Sequence, residues 1–577
     1  MKGFFLSLCF FCGVVSAASP EQELFEALGG NKALEKGESK FVRAAVAKYF
    51  EAKHADEIKQ GFGSDAEAIR KFLVANPELR DTLYTAIDPN TDGVVPALEI
   101  FRDLYKLGPD NLKAHPQLAV ALCVVWDQPK AVYDQTPHQV RTKSLLPSGV
   151  ANVNHVLNWQ QYLADEKTLG GPTLKLPWEF LVHVVNHKSV KEERAWSVKT
   201  YSKRRAMIGS IYPTVEYDVK MLQTKSAMCK LNGQTYDLPG ILKYGGVCAM
   251  QADFAARVGK SVLIPSEYVG GEGASGVLHA WVMWAEVKSV SAEGKVDFTM
   301  QREGAYLIDN YYVGTLRDPK SGDATTDRDI TRRLAFLGGS PLAARHADLL
   351  MKAYPALARQ RDWKQGQRLV FLQSVLEIFL YDEKAWLELA AFHKAGSIKD
   401  SEAAYATAVK CFDTFARHPD FAWQLLPDFL SAVKDPARQT KLYEKAVAAF
   451  EALGRPDLAC EARITLSGVQ AEAKEYKKAA DGLASTIRRF PDEGRYVPKM
   501  MKELVALCEK FDGGTDLLAK FYTAILPKVP KTRGNEVSQY CIRMHEQAIE
   551  FFSKAKKPAD ADRTKTALYQ LRKLEGK

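Results

Sequence analysis

A cysteine, a histidine and an aspartate in the middle of the chain have the types and order that nucleophilic acyl transfer requires. Cys248 follows two glycines in YGGVCAMQADFAARVGK, His279 begins HAWVMWAEVK, and Asp309 ends AYLID. A thiol attacks a carbonyl when an imidazole within hydrogen-bond reach accepts its proton and a third group orients that imidazole. These three residues are therefore our candidates for a catalytic site.

The residues from Cys248 to Val258 have the spacing of a helix with one apolar face, and Gly259 is placed to cap its end. Cys248 then lies in the first turn of the helix. There the unsatisfied N–H groups and the helix dipole favour a thiolate, so we expect a lowered pKa for Cys248. The two glycines before it allow a tight turn and leave room for a substrate.

The region after His279 is predicted to form an antiparallel hairpin. Alternation in HAWVMWAEVK and VDFTMQREGAYLIDNYY indicates two strands joined by SVSAEGK. In an antiparallel pair, facing residues have a constant index sum, so a turn centred on 293–294 sets position 308 opposite His279, one residue from Asp309. Asp297, the competing acid, would face the region near 290 and is disfavoured.

These features resemble the transglutaminase-like superfamily, a relative of the papain fold. The resemblance depends on Gly245-Gly246-Val247-Cys248, His279-Ala280-Trp281 and Leu307-Ile308-Asp309. It implies an α+β core in which a helix carrying Cys248 packs on an antiparallel sheet carrying His279 and Asp309.

The resemblance also implies the roles of the residues. Cys248 would be the nucleophile, His279 the general base and then acid, and Asp309 the group that orients the imidazole. An amide would become a thioester, which water or an amine resolves. The backbone N–H of Cys248 would bind the oxyanion with a second donor, for which Trp196, Tyr244 and Gln234 are open alternatives.

The segment DPNTDGVVPALE fits the pattern of an EF-hand calcium loop. Its oxygen ligands would be Asp88, Asn90, Asp92 and Glu99, with Gly93 at the sharp turn. However, no second loop is present to pair with it. An Asp/Asn/Gly turn followed by a helix with an early proline explains the same residues, and we prefer that interpretation to a calcium site.

His183 and His187 in HVVNH have a spacing that could place two zinc ligands on one helix face. The glutamate of HExxH is absent, and LPWEFLVHVV has the composition of a core segment. We therefore predict no metal at these histidines.

The first 18 residues have the features of a secretory signal peptide. Lys2 precedes an apolar run from Phe4 to Val15, and small residues at Ala17 and Ala18 offer a cleavage site. We expect an exported protein in the periplasm, at the cell surface or in the medium. No later segment has the ~18 uninterrupted apolar residues that a spanning helix needs.

Removing Cys9 and Cys12 with the signal peptide leaves seven of the nine cysteines, with no CxxC pair among them. Neither a zinc knuckle nor a dense disulfide framework is indicated. Because seven is odd, at least one thiol is unpaired within the chain, and Cys248 is our candidate.

The composition is that of a globular protein with several domains. The chain has 577 residues, 46% hydrophobic and 26% charged, with a net charge of +9. The basic residues are interspersed with acids and form no stripe with aromatics, so we expect no nucleic-acid partner. After the signal peptide, the pattern predicts a helical region at 19–165, the transglutaminase-like core at 166–322, and a second helical region at 323–577.

A weak period of 33 residues occurs in the second helical region. It relates Ala446 and Phe450 to Ala479 and Leu483, and Pro491 closes the second unit. This resembles tetratricopeptide repeats, whose stacked hairpins form concave surfaces for peptides or proteins. A helical domain that only packs on the core is the alternative.

We therefore hypothesise an exported cysteine enzyme that acts on protein or peptide amides, by hydrolysis rather than cross-linking. The competing hypothesis is a binding or scaffold protein, in which the helical array holds a partner and the core is inert. No cofactor is expected other than the calcium alternative.

Overall fold

The computed structural model describes residues 18–29, 31–35, 39–273, 277–305, 312–398, 400–533 and 536–574. In these ranges the protein is α+β and mostly helical, with one five-stranded antiparallel sheet, which confirms the predicted class. Residues 1–17 of the predicted signal peptide and Asp309 lie outside them. None of the helices in these ranges is both long and apolar enough to cross a bilayer.

The region predicted to be helical at 19–165 contains ten helices within its described residues. Several begin at a proline, which fits the first helical turn because its missing N–H has no partner there. The helices are α1 (Pro20–Leu28), α2 (Ser39–Lys53), α3 (Ala55–Phe62), α4 (Ala66–Ala75), α5 (Pro77–Ala86), α6 (Val94–Leu107), α7 (Pro109–Ala114), α8 (Pro116–Trp126), α9 (Thr136–Thr142) and α10 (His155–Leu169).

The central region adds five helices and a sheet with the strand order β3-β2-β1-β4-β5. A run of 3₁₀ turns at Ser202–Thr214 connects the second and third of these helices. The elements are α11 (Trp178–Val185), α12 (Lys191–Tyr201), α13 (Val219–Gln223), α14 (Leu238–Tyr244), α15 (Cys248–Ser261), β1 (Ser266–Glu272), β2 (Leu278–Val290), β3 (Val296–Glu303), β4 (Thr315–Arg317) and β5 (Ala324–Thr326).

Helix α15 is buried on nearly every side, and it packs against β1 and β2. Its charged residues therefore need partners inside the protein. The fully buried Arg257 pairs with Glu193 and Asp253, and Lys260 pairs with Glu267 at 3.1 Å. The Lys260–Glu267 pair joins the helix that carries Cys248 to β1, and the Arg257–Glu193 pair joins it to α12.

The hairpin of β2 and β3 forms as predicted, but with its register displaced by two residues. The predicted alignment sets Val282 opposite position 305, whereas it pairs with Glu303. One residue of the difference comes from the turn, since Val290 faces Val296, and the other from a β-bulge between Val287 and Ser289. A shift of two residues keeps each side chain on its predicted face of the sheet.

The C-terminal region contains thirteen helices and one two-stranded ribbon in its described residues. The helices are α16 (Asp327–Gly339), α17 (Pro341–Gln360), α18 (Gln365–Ile378), α19 (Glu383–Lys394), α20 (Ser401–Thr414), α21 (Pro419–Leu430), α22 (Pro436–Ala452), α23 (Pro456–Glu472), α24 (Tyr476–Arg489), α25 (Val497–Cys508), α26 (Gly514–Ile525), α27 (Gln539–Lys554) and α28 (Pro558–Arg572); the ribbon is β6 (Thr532–Arg533) with β7 (Glu536–Val537).

The residues of the 33-residue period lie on successive hairpins of this region. Helices α22 and α23 pack together, as do α23 and α24, and then α24 and α25. Ala446 and Phe450 are buried on α22, and Ala479 and Leu483 are buried on α24. The small residues let neighbouring helices approach closely, which explains why they recur.

The first two helices contribute to the apolar core of the C-terminal region. Leu24 and Leu28 of α1 and Val42 and Val46 of α2 belong to the buried cluster that includes α17 to α23. The sheet has a buried cluster on each face. Helix α15 packs on one face, and helices α3 to α8 form the second cluster with the other face. The predicted helical region at 19–165 is therefore divided between two cores.

Candidate active site

Cys248 is the first residue of α15, as the sequence predicts. Two glycines make the turn that leads to it. Gly245 has a φ of +77°, and a side chain there would overlap the carbonyl oxygen of Glu216. A side chain at Gly246 would lie 2.5 Å from the Cβ of Met250. Both positions therefore require glycine, and they fix where the thiol begins the helix.

The Cys248 thiol is partly exposed and lies against the edge of β2, where the backbone N–H of Ala280 is directed at it. Burial raises the pKa of Cys248, and the N–H groups of Ala280 and Ala249 only partly offset this effect. The expected lowering of the pKa is therefore wrong. A thiolate at this position loses more hydration than the surrounding dipoles return.

His279 lies on β2 opposite Gly271, directly before the peptide N–H that contacts the thiol. The residue is only 5% exposed, and its Nε2 is hydrogen-bonded to the carbonyl oxygen of Gly304. Because a carbonyl can only accept, Nε2 carries the proton, and in the neutral ring Nδ1 is left as the proton acceptor. Burial lowers the pKa of His279, so the ring is neutral near pH 7.

Gly304 and Tyr212 support His279 and were not identified from the sequence. Gly304 follows β3 with a φ of +92°, and a side chain there would overlap the ring of Tyr212. The Tyr212 hydroxyl donates to the carbonyl oxygen of Ala280 at 2.9 Å. The positive φ of a glycine directly after a strand was the one available signal, because only the fold brings Tyr212 to it.

The aspartate of the predicted triad, Asp309, lies outside the described residues, so its role stays a prediction. Asp297 faces Ser289 near the turn of the hairpin, as predicted. His279 is at the opposite end of β2. A backbone carbonyl, that of Gly304, is one partner of the imidazole.

The three candidates for the second oxyanion donor occupy different surroundings. Trp196 packs edge-on against Tyr201 and Phe254, with ring centroids 5.7 and 6.3 Å apart. The ring of Tyr244 lies under the ammonium group of Lys243. The backbone carbonyl of Gln234 accepts a hydrogen bond from the N–H of Leu145. None of these contacts selects one candidate, and all three stay open.

Aromatic side chains lie on the face of β1 that is near the Cys248 thiol, and they were not identified from the sequence either. Burial raises the pKa of Tyr268, and the Cys248 thiol and Asp253 contribute to this. The ring of His138 lies 5.0 Å from that of Tyr268, and the Tyr133 hydroxyl donates to Asp253 at 2.7 Å. His138 and Tyr133 come from the helical region upstream, so only the fold brings them to Tyr268 and Asp253.

The EF-hand-like segment forms an Asp/Asn turn in which the carboxylates of Asp88 and Asp92 have partners. Asp92 is buried and pairs with the ammonium group of Lys320 at 3.0 Å. It also accepts the backbone N–H of Asp88, whose own carboxylate accepts that of Asn90. Helix α6 begins at Val94, well before Glu99. The arrangement corresponds to the turn interpretation, since Asp92 already pairs with the Lys320 ammonium group.

The two histidines of HVVNH do not share a helix face. His183 lies on α11 and contacts Glu267 at 2.8 Å, whereas His187 follows the end of the helix and is fully buried. In the described ranges, no group of three or more histidine, cysteine, aspartate or glutamate side chains is arranged to hold a metal ion.

The seven cysteines that follow the predicted signal peptide are all free thiols. Five of them are buried, whereas Cys229 and Cys248 are partly exposed. Cys248 differs from Cys229 because it begins a buried helix beside a histidine.

No family model matches the chain, and no curated protein is significantly similar to it.

Proposed function

We propose that the protein is an exported cysteine enzyme of the transglutaminase-like class that attacks amide carbonyls of proteins or peptides. The observation that carries the proposal is the junction of α15 and β2. There the partly exposed Cys248 thiol, at the start of α15, contacts the backbone N–H of Ala280, the residue that follows His279. In the neutral ring of His279, Nδ1 is the nitrogen without a proton, because Nε2 donates to Gly304. Asp309 is the proposed orienting acid, together with the Gly304 carbonyl.

In the proposed reaction, the Cys248 sulfur attacks the amide carbon while its proton passes to Nδ1 of His279. The carbonyl oxygen becomes an oxyanion close to the backbone N–H of Cys248, which has no partner within the helix at this position. The imidazolium then gives its proton to the departing amine, leaving a thioester. Water, deprotonated by the same imidazole, attacks the thioester and releases a carboxylic acid and the free thiol.

The resting pair in this proposal is a neutral thiol and a neutral imidazole. The raised pKa of Cys248 and the lowered pKa of His279 both have burial as their main cause. Proton transfer therefore accompanies attack on the substrate rather than preceding it. Our preference for hydrolysis over transfer to an amine rests on analogy with the family that the sequence resembles.

The proposal is tested by incubating the purified mature protein with a mixed peptide library. New N-termini and released ammonia are measured by mass spectrometry and a coupled assay, and the thioester is sought on the Cys248 peptide. We expect Cys248→Ala to abolish both products, and His279→Ala to lower the rate by about 10²–10⁴-fold. Cys229→Ala is the matched control, because Cys229 is the other partly exposed thiol, and it should retain the wild-type rate.

Product formation that survives in Cys248→Ala would refute the assigned nucleophile. The absence of products, thioester and amine adducts from the wild-type protein, across the library and at pH 6 to 9, would refute the enzyme proposal.

A binding or scaffold protein with an inert core is the second candidate function. The raised pKa of Cys248 favours it, because a buried neutral thiol is also what a structural cysteine shows. The proposed binding surface is the tetratricopeptide-like array, where stacked hairpins would hold a protein partner. Wild-type levels of partner binding by Cys248→Ala, combined with no product in the assay above, would support this candidate.

Export is proposed from the N-terminal sequence alone. N-terminal sequencing of the protein recovered from fractionated cells tests it: a chain beginning at Ala18 or Ser19 is expected, and a chain that retains Met1 would contradict it.

A further inference from the structure

A cavity lies between the sheet and the C-terminal helices, and the residues that line it are rich in arginine. It has a volume of about 400 Å³. The end of β3, the start of α16, the start of α21 and the turn between α22 and α23 meet around it. Five arginines line it: Arg302, Arg328, Arg332, Arg417 and Arg455.

Three of these arginines have carboxylate partners. Arg455 donates to both oxygens of Asp420 at 2.6 and 2.7 Å and also to Asp457. Arg332 pairs with Asp329 and Glu383. Arg302 lies 3.7 Å from Asp327. Asp420 is the one carboxylate that lines the cavity, and its two oxygens are both held by Arg455.

The other two arginines, Arg328 and Arg417, have no ion pair within the part of the chain that the structure describes. Arg328 lines the cavity and donates its Nε–H to the carbonyl oxygen of Tyr312 at 2.7 Å, and no described carboxylate lies within 4.0 Å of its guanidinium nitrogens. Arg417 is exposed at the rim. Two guanidinium forks on a concave surface are the geometry that binds carboxylate or phosphate oxygens.

The electrostatic surroundings agree with an excess of positive charge in the cavity. Burial lowers the pKa of Arg328, and the nearby guanidinium of Arg302 lowers it further. Burial and Arg332 lower the pKa of His418 to about 4. The N-terminus of α21, which begins at Pro419 and has no side-chain cap, adds its positive dipole end to the same wall.

We propose that this cavity binds a dianionic group, a phosphate ester or a pair of neighbouring carboxylates, through Arg328 and Arg417. Two unpaired cations favour two negative charges over one. The volume suits a small ligand or the anionic end of a larger one. Arg302 lies on β3, two residues before Gly304, whose carbonyl oxygen is hydrogen-bonded to His279. The anion site nevertheless does not depend on the catalytic function proposed above.

Isothermal titration of the full mature protein tests the proposal. The titrants are inorganic phosphate, phenyl phosphate, succinate and acetate, at constant ionic strength in chloride. We expect saturable binding of dianions with a Kd of ~1 mM or tighter, and binding of acetate at least about tenfold weaker. Tighter binding of phenyl phosphate would identify a phosphate ester as the ligand class, and tighter binding of succinate a dicarboxylate.

Two variants assign the site to the cavity. Arg417→Ala removes an exposed side chain and should leave folding unchanged, and Arg328→Gln keeps a hydrogen-bond donor. Each should weaken dianion binding by about tenfold or more. Arg563→Ala, on the exposed face of α28 with its side chain 74% exposed, is the matched control and should bind as the wild type does.

Two results would overturn the proposal. One is the absence of saturable dianion binding to the folded wild-type protein. The other is equal binding by the wild type, Arg417→Ala and Arg328→Gln, which would place the anions elsewhere.

Discussion

The starts of α15 and α6 are both turns containing glycine that lead into a helix, but they surround groups of different kinds. The turn before α15 presents a neutral thiol that is partly exposed and that contacts a backbone N–H of β2. The turn before α6 buries the carboxylate of Asp92 against the ammonium group of Lys320. In the second turn the carboxylate of Asp92 is paired with a cation from the protein itself, whereas in the first the Cys248 thiol is partly exposed.

This difference bears on whether each turn can take a ligand. At the turn before α6, a metal ion would have to displace the ammonium group that already pairs with the buried carboxylate of Asp92. At the turn before α15, the proposed function requires a thiol that a substrate can reach and a histidine that accepts its proton. The predictions that follow test each side of the comparison.

The largest effect is expected from removing the counter-charge in the turn before α6. Lys320→Met leaves the Asp92 carboxylate, whose side chain is 0% exposed, without its cation. We expect a loss of about 3 kcal/mol in the free energy of unfolding, measured in urea at pH 7, because an unpaired buried charge is costly. Lys130→Met, which breaks the exposed Lys130–Asp323 pair close by, is the control and should unfold like the wild type.

Calcium distinguishes the two interpretations of the same turn. Because Lys320 occupies the cation position, 5 mM CaCl₂, a concentration of the order used for weak extracellular sites, should leave the Tm of the wild-type protein unchanged. A calcium-dependent rise in Tm that Asp92→Asn removes would show that the metal displaces Lys320, and the two turns would then both be ligand sites.

A smaller loss of stability is expected from the turn before α15. Gly245→Ala places a Cβ against the Glu216 carbonyl at a φ of +77°, and we expect about 2 kcal/mol of destabilisation. Gly513→Ala is the matched control, since Gly513 also has a positive φ, +89°, but nothing within 4 Å of a new Cβ. Equal losses in the two variants would mean that backbone strain alone, and not the close approach, makes Gly245 necessary.

The pKa of Asp127 reports how well solvent is excluded from the turn before α6. Burial, and then the charge of Asp92, raise its pKa from 3.8 to about 7. The folded state therefore holds this proton up to a higher pH than the unfolded state does. Asp127 thus destabilises the fold increasingly as the pH rises from about 4 to 7, and the cost stays constant above that.

Asp127→Asn keeps an oxygen to accept the N–H of Gly93 and removes the charge. We expect it to be more stable than the wild type at pH 8 by about 1–2 kcal/mol and to lose more than half of this advantage at pH 5. Urea unfolding at the two pH values measures this. Asp110→Asn, with its side chain 93% exposed, is the control and should show no such dependence on pH. An advantage of the same size at both pH values would contradict the assigned ionisation.

Local sequence patterns predicted the positions of the helix and strands of the site, whereas the strand register and the ionisation of the side chains depend on long-range contacts. The start of α15 and the strand of His279 follow from glycine placement and alternation, which are local. The register of β2 and β3 does not, because a bulge between Val287 and Ser289 shifts it and no residue in the sequence marks that position. The pKa of Cys248 could not be predicted either, since burial by β1 and β2 outweighs the helix start. Lys320 is more than two hundred residues from Asp92 in sequence, so the turn pattern gave no sign of it.

The smallest effect is expected for alkylation of the resting thiol. Because the pKa of Cys248 is raised from 9.0 and His279 is neutral, labelling by iodoacetamide should be slow at pH 7 and should still be rising at pH 9.5. For the same reason His279→Ala should change the labelling rate at pH 7 by no more than about threefold, although the proposed function requires it to lose most of the turnover. Peptide mass spectrometry of Cys248 and of Cys229, as the reference thiol, measures both rates. Rapid labelling of Cys248 below pH 7 that is lost in His279→Ala would instead reveal a resting thiolate–imidazolium pair, and proton transfer would then precede the binding of substrate.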